Sequence, residues 1–557
     1  MTGRRIVVSL LFAYLFVFGV PDPVSAAPFR LFSPGDPVIE DLRLVSREAG
    51  RSLLSLTPPF SGAEVAAALK DIETDALSPS GRDAYRRIRS ALDAGPAFAD
   101  GPIRFSAGAA LSLEGRARTD SGIAWTRDEG DSRSFLNAPL EFFFGDNAYA
   151  AGDLDVRADP TFYEKGTDLV GTNVPFAAER IDLNVPLRAF LAAGGDWWTF
   201  QLGRDKLDFG SGLTGNLAIS DDPDYHDFAR LSLFSPNFKY SLLVSQLPLS
   251  VNDLCADGYG PFAGGAGTDP ALDSTTQRYL YYHRWDVRLF GRVSVGLGEG
   301  ALVGNSAPEL RFLNPLTIYH SFFAWEDYDA WKSESGAEGD MVGSLMNLEF
   351  EWAVFPSFAL YGQAVMNQFA TSYEKEKWPE DGSPNGLGFL AGAEYATDFS
   401  GTSASFALEA VYADPYLYTL SSPFSSYIWM RRLSELSDKD PRYAWIGHPE
   451  GRDFLLFALR GRFVRPRYAL TLKASYKLQG EHGLSWDWAR GPDSASQSTP
   501  SGVPERRALV SADLDWKATK KLAVGAYLAV IRVDGADHVK GDYEMGAETA
   551  LSVTYTF

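Results

Sequence analysis

Among 557 residues there is one cysteine, Cys255, so no disulfide can form within the chain. Histidine is also scarce. The six (226, 283, 320, 448, 482 and 538) are scattered, with no HxxxH pair and no Cys/His cluster, which argues against a transition-metal site. Basic residues are the minority: 51 Lys+Arg against 72 Asp+Glu leave a formal charge of −21, the wrong sign for a nucleic-acid-binding surface. There is no G-x-S-x-G and no phosphate loop, and spacing alone places no catalytic dyad. The expectation is a protein that is not an enzyme and carries no cofactor or metal. Long hydrophobic runs are missing apart from one at the N-terminus.

That run, Ile6 to Val20, follows Arg4-Arg5 and precedes Val24-Ser25-Ala26. A basic start, an apolar stretch and a small-residue cleavage site are the pattern of a secretory signal peptide. Residues 1–26 are read as the leader, with cleavage after Ala26 or, second, after Ala27. Residues 27–102 form a helical module. Val38, Leu42 and Val45 recur at helical spacing, and Ser61-Gly62-Ala63-Glu64 has the form of a capping box. Ser78-Pro79 opens a third helix carrying Tyr85, Ile88 and Leu92, which Gly95-Pro96 closes. Three short helices make a marginal core alone, so the module is expected to dock on something larger.

What is abundant is aromatic residues (13%) and glycine (52), and from Ile103 onward the apolar period is two. Phe105, Ala107, Ala109, Leu111 and Leu113 alternate with small or polar residues; Ile181, Leu183, Val185, Leu187, Ala189 and Leu191 with Asp182 and Arg188; Leu348, Phe350, Trp352 and Val354 with Glu349 and Glu351. The same holds for Leu470 to Leu478 around Lys473 and Lys477, and for Ala512, Leu514 and Trp516 around Asp513 and Asp515. Such ribbons suit a soluble sandwich or an outer-membrane barrel equally well. The connections decide. About eighteen runs are joined alternately by tight turns and long links. The tight turns are Gly145-Asp146-Asn147, Ala193-Gly194-Gly195, Ser235-Pro236-Asn237, Gly291, Pro356-Ser357, Ser400-Gly401, Arg465-Pro466 and Ala518-Thr519. Short turns on one side and long loops on the other are the asymmetry of a transmembrane β-barrel. The fold expected for 103–557 is therefore an all-β barrel of about 18 antiparallel strands, in the bacterial outer membrane, preceded by the α-helical module in the periplasm. The terminal run to Phe557 resembles the C-terminal signal by which such barrels are recognised for insertion, which makes outer-membrane lipid and the barrel-assembly machinery expected partners.

Face assignment places Arg188, Arg284, Asp286, Arg288, Glu349, Glu351, Lys473, Asp513 and Asp515 in the lumen, with Asp182, Glu409 and Lys477. A single-sign ring would suggest an ion-selective pore. Mixed signs suit either a cross-linked, partly plugged interior or a hydrated channel wall. Among the loops, Asp221, Asp222 and Asp224 lack the graded spacing of a Ca²⁺ loop and read as a solvated acidic turn. Trp325, Tyr328 and Trp331 lie among Glu326, Asp327 and Asp329; Tyr416, Tyr418, Tyr427 and Trp429, and Trp486 with Trp488, form further groups. Flat rings beside carboxylates suit sugar faces, or else an aromatic girdle at the membrane interface.

Two segments carry a family resemblance. Gly203-Arg204-Asp205-Lys206, followed by Gly210-Ser211-Gly212, Leu217 and Ser220, is similar to the GR-x-K…G-x-G…L…S stretch of Wzi-type capsule-assembly outer-membrane proteins, and Glu309 to Leu316 (ELRFLNPL) resembles their P/E-x-x-F-x-N-P-L segment. The helical module, through Thr57-Pro58-Pro59-Phe60, is similar to that family's periplasmic domain. The resemblance implies an eighteen-stranded barrel acting as an outer-membrane lectin for capsular polysaccharide. Arg204, Lys206, Gly210, Gly212, Arg311 and Asn314, with Trp325, Tyr328 and Trp331, are the candidates for ligand contact or loop pinning, and an architectural role is favoured for Arg204, Lys206, Gly210, Gly212 and Asn314. Two functions follow as expectations: a non-enzymatic barrel that binds or organises surface polysaccharide, or an outer-membrane porin for small anionic or neutral solutes.

Overall fold

The computed structural model describes residues 29–98, 103–127, 130–158, 166–175, 181–183, 185–247, 277–304, 309–319, 342–368, 376, 385–419, 426–432, 441–484 and 498–557. The leader, Cys255, Trp325, Tyr328, Trp331, Trp486 and Trp488 lie outside them.

Along Val342–Phe355 the charged Glu349 and Glu351 are buried, whereas the apolar Leu348, Phe350 and Trp352 on the same strand are exposed. A water-soluble protein would reverse that arrangement. Here it recurs around a closed barrel of 18 antiparallel strands. Strand β1 is broken at Gly108-Ala109 into Ile103–Ala107 and Ala110–Arg118. It is followed by β2 (Leu136–Phe144), β3 (Ala148–Val156), β4 (Ala189–Gly194), β5 (Trp198–Asp205), β6 (His226–Ser235), β7 (Phe238–Gln246), β8 (Arg278–Leu289) and β9 (Val293–Gly304). The second half comprises β10 (Val342–Phe355), β11 (Phe358–Gln368), β12 (Gly386–Phe399), β13 (Thr402–Ala413), β14 (Phe454–Arg465), β15 (Tyr468–Gln479), β16 (Glu505–Lys517), β17 (Leu522–Asp534) and β18 (Tyr543–Thr556). Pairing of Tyr555 with Leu111 and Glu548 with Arg118 closes the ring, leaving no free sheet edge. Among the described residues no helix is long and apolar enough to cross a membrane; the strands supply the apolar outer wall.

One expected strand is shorter than its alternation suggests. The run from Ile181 to Leu191 yields only Ala189–Gly194. Pro186 has no N–H to give a ladder, Leu187 packs into the lumen cluster, and Arg188 sits just before the strand.

The helices α1 (Pro37–Glu48), α2 (Gly62–Leu69) and α3 (Pro79–Leu92) are started by side-chain caps. Asp36 accepts from Val38 N–H at 2.9 Å, and Ser78 from Gly81 N–H at 3.0 Å. The Ser61/Glu64 capping box is complete: Glu64 N–H to Ser61 Oγ at 3.2 Å and Ser61 N–H to Glu64 Oε2 at 2.9 Å. Val38, Leu42, Val45, Val65, Leu69, Ala84 and Ile88 form a small core. The module closes the short-turn end of the barrel. Ser52 N–H donates to Gly291 C=O (3.3 Å), and Ser357 N–H to Arg47 C=O (2.7 Å).

Candidate functional site

The lumen is filled from both ends. From the short-turn end, α1 turns two arginines, Arg43 and Arg47, towards the wall. Arg47 grips Glu351 with two parallel bonds (2.7 and 2.9 Å) and Glu394 with a third (3.1 Å); Arg43 adds Glu394 (2.8 Å) and the Ser211 carbonyl (3.1 Å). The chain after α1 follows them inward. Leu53 N–H donates to Glu351 (3.0 Å), Ser55 Oγ to Asp286 (3.0 Å), and Arg230 of β6 donates to the Thr57 and Pro59 carbonyls (2.7 and 3.2 Å).

From the long-loop end, residues 206–224 fold into the barrel and meet the module where Gly210 N–H donates to Leu56 C=O (2.6 Å). Gly210 has φ +144°, and a Cβ there would lie 2.1 Å from Gln363 Nε2; at Gly212 one would lie 2.0 Å from the Gly215 carbonyl oxygen. Both positions exclude a side chain. Wall carboxylates hold the loop. Ser211 Oγ reaches Glu349 and Glu351 (3.3 Å each), and Glu409 accepts from Leu213 N–H (2.6 Å), Thr214 N–H (2.9 Å) and Thr214 Oγ (2.6 Å). Leu207, Phe209, Leu217 and Ile219 are buried with Tyr418, Tyr427, Trp429 and Trp445. Above them a hairpin of Ile428–Arg432 and Pro441–Trp445 presses down, with Arg431 between Asp182 (2.8 Å) and Asp224 (2.5 Å) and Arg442 on Asp224 (3.0 Å).

The candidate residues therefore divide. Arg284 pairs with Glu349 and Asp286 (2.7 Å each), so Arg284, Asp286, Glu349 and Glu351 form one buried network with the plug. Arg188 joins Asp153 (3.4 Å) and Asp205 (3.7 Å), and Arg288 joins Asn237 (3.2 Å) and Asp71 (3.7 Å). The far wall is more open. Lys473 is exposed, and the side chains of Asp513 and Asp515 remain 40% and 50% exposed although they meet Arg127 and Arg133 of an inward loop.

Lys206 pins the base of its loop by donating to the Asp221 carbonyl (2.8 Å). Arg204 pairs not with a lumen carboxylate but with Asp227 (2.8 Å), its cross-strand neighbour. The reason is parity: Thr199, Gln201 and Asp205 take the buried inner side of β5, so Arg204 shares the outer side with Leu202. Its guanidinium stacks on Tyr225 at 3.7 Å. Arg311 and Asn314 are exposed on a segment outside the barrel, where Arg311 pairs with Glu309 and Asn314 accepts from Leu316 N–H. Tyr418, Tyr427 and Trp429 are fully buried, so they present no face to a sugar; Tyr416 is partly exposed. Nor is the Asp221–Asp224 turn merely solvated: Asp224 is buried between two arginines, and Asp222 accepts from Trp445 N–H (3.2 Å).

Sequence reasoning did not single out Arg43, Arg47, Glu394, Arg431 or Arg442. The first two carried a readable signal, since arginines four apart lie on one helix face beside Leu42 and Val45, marking the docking side. Arg431 and Arg442 became meaningful only through the hairpin.

Burial, and then the proximity of Asp221, pushes the Asp208 carboxyl up to about 8, so it stays protonated when the loop is docked. Burial alone would raise Asp224, but Arg442 and Arg431 hold it below the ordinary carboxylate range. Burial drives His448 down to about 4. Its Nδ1 accepts Glu450 N–H (3.2 Å), leaving Nε2 to face Thr214 Oγ (3.1 Å). A pH response follows. Because Asp208 has a raised pKa in the folded state, its contribution to docking is complete below the unfolded value near 3.8 and is lost as pH rises through about 8. Above 6.5 His448 is neutral when docked and less than half protonated when released, so it opposes this trend only weakly. Between pH 6.5 and 8, amide exchange in 206–224 is therefore expected to accelerate more than its intrinsic rate. Asp208→Asn should flatten that excess.

Asp453, His482 and Ser501 also converge, fully buried. Asp453 Oδ2 and Ser501 Oγ both approach the same nitrogen of His482, Nδ1, at 3.0 and 2.7 Å. A hydrolytic triad needs serine and aspartate at opposite ring nitrogens. This trio instead ties the loop after β15 to the start of β14.

Fold and filled lumen together define a plugged β-barrel of the bacterial outer-membrane type. No protein-family model matches the chain, and no curated protein matches it in sequence. Among solved structures, it is similar to Wzi, an outer membrane protein involved in group 1 capsule assembly in Escherichia coli and a carbohydrate-binding β-barrel. The two share 14% identity with a TM-score of 0.56, over 94% of this chain and 99% of that one. OprD of Pseudomonas aeruginosa (11% identity, TM-score 0.40, 84% and 97% covered) and the channel DcaP of Acinetobacter baumannii (10%, 0.34, 83% and 100%) are also similar. These two likenesses are too loose to argue from.

Proposed function

We propose that this chain is a non-enzymatic outer-membrane barrel that binds or organises surface polysaccharide through its long-loop face. The observation that carries the reading is that the wall carboxylates Glu349, Glu351, Glu394 and Glu409 are all engaged by plug groups. Ion pairs consumed in this way serve closure rather than conduction. With short turns in the periplasm, the helical module would seal that side and the loops would face outward. The likeness to a carbohydrate-binding barrel agrees with this reading but extends only to the fold. Incubating the purified barrel with native surface polymers and recovering the complexes tests it. Retention of at least one polymer is expected, and failure with every surface polymer of the source cell would reject the reading.

A second reading, a solute-selective porin, draws on the exposed Lys473, Asp513 and Asp515 along the more open wall. Planar-bilayer recording separates the two, since a plugged lectin gives little steady current. For assembly, Phe557 N–H closes onto Ala109 C=O (3.0 Å) while its ring stays exposed. Removing Phe557 is expected to lower membrane insertion in cells, measured by outer-membrane fractionation, while leaving in vitro refolding nearly unchanged.

A further inference from the structure

Polar side chains are costly on a lipid-facing wall, yet His283 and Glu299 stand opposite each other on the outer side of β8 and β9, 3.3 Å apart. Their outward direction follows from parity, because Tyr282, Arg284 and Asp286 point into the lumen. Both are buried, because residues 309–319 are strapped across the outside of the barrel over them. Phe312 stacks on Tyr281 (4.7 Å) and Tyr319 on His283 (4.4 Å, 8° between planes). Tyr319 N–H donates to Glu299 (2.8 Å).

The height of the strap matters. His283 is six residues above Leu289 at the short-turn end. At about 3.3 Å per residue and a tilt of about 40°, that is about 15 Å along the barrel axis, inside a hydrocarbon band about 25 Å tall. Irregular backbone at that depth needs its polar groups satisfied internally, and several of this segment's are. Glu309 N–H donates to Tyr281 Oη (3.0 Å), Leu316 N–H to Asn314 Oδ1 (3.2 Å), Thr317 N–H to Asn314 C=O (3.2 Å), and Tyr319 Oη to Phe312 C=O (2.6 Å). What it turns outward is apolar: Leu310 is 83% exposed, Leu316 82% and Ile318 57%. Arg311, paired with Glu309, is long enough to reach the headgroups.

We propose that residues 309–319 form a lipid-seated strap. It covers the His283–Glu299 pair and inserts Leu310, Leu316 and Ile318 among the acyl chains of the outer leaflet. The ELRFLNPL segment then serves as a membrane contact rather than a ligand site. The inference rests on the membrane placement of the barrel, and its test separates the two.

A fluorescent probe that brightens and shifts to the blue in apolar surroundings is attached at Leu316→Cys or, on the bare wall, at Val510→Cys, each with Cys255→Ser. The full mature chain is reconstituted in phosphatidylethanolamine/phosphatidylglycerol vesicles. Quenching is compared between acyl-chain nitroxide lipids and aqueous iodide. Blue-shifted emission quenched severalfold more by nitroxide at both positions is the expected result. Nitroxide quenching at 510 with only iodide quenching at 316 would put the strap in water and overturn the inference while leaving the barrel in its membrane. Protection at 316 from both quenchers would mean a covering protein, such as a second copy, and would overturn it equally. Absence of nitroxide quenching at 510 would reject the membrane placement itself, and the strap with it.

Discussion

Arg47→Ala is expected to open the barrel. In planar bilayers the native chain should pass little steady current, and the variant should show frequent long-lived openings. Arg47 is buried, and its removal leaves Glu351, held by two of its bonds, as a poorly compensated carboxylate in the lumen. Breaking one partner of a buried pair costs roughly 3–5 kcal/mol, which is roughly a hundred- to several-thousand-fold in the docking equilibrium of the plug. The cost falls on docking because the strands keep their ladders without α1. Arg43→Ala together with Arg47→Ala should go further, since Glu394 then loses both guanidinium partners. A control tells loss of the pair from loss of packing. Replacing both partners with apolar residues, Arg47→Leu with Glu351→Leu, removes the stranded charge and should restore most of the closure. If Arg47→Ala remained as silent as the native chain, the plug would not be what closes the lumen.

The second large effect is expected on the outer wall. Val510 lies midway along β16, 63% exposed, with Val530 beside it on β17. Val510→Arg should cost about 2–4 kcal/mol if that face meets hydrocarbon near the bilayer midplane. It should lower the urea midpoint of the refolded barrel and the yield of the heat-modifiable band on electrophoresis. Lys473→Gln, on the exposed part of the lumen wall, should change either measurement little, because that side chain faces water. A barrel wall that met water instead of lipid would tolerate Val510→Arg, and the chain would then stay monodisperse without detergent.

The distribution of what was legible has a physical basis. Strand periodicity, the alternation of tight turns with long links, and helix caps such as Ser61/Glu64 are local properties written over a few neighbouring residues. The eighteen-stranded barrel and the starts of the helices could therefore be read directly. Inner and outer faces were also legible wherever a ladder was unbroken, as at Glu349 and Glu351. Reading failed where the ladder failed, as where Pro186 interrupts the run from Ile181. Arg204 differs: it lies in an intact ladder, where one step of parity turns it to the outer side and Asp227.

The chain alone thus determined that the apolar side of its strands faces outward and that charged residues line the inside, because parity sorts the two faces of each strand and the alternation of tight turns with long links marks a barrel. It did not determine what those charges meet. Arg47 and Glu351 lie 304 residues apart, Asp182 and Arg431 249 apart, and no local pattern links such positions. Which wall carboxylates are closed off was decided only where the helical module and the 206–224 loop met inside the barrel, at Glu349, Glu351, Glu394 and Glu409. Whether ELRFLNPL contacts a ligand, pins a loop or straps the outer wall depended in the same way on Tyr281 and His283 facing out to receive it. Both outcomes are set by long-range packing, where complementary charges and rings are brought together by closure of the barrel rather than by their spacing along the chain.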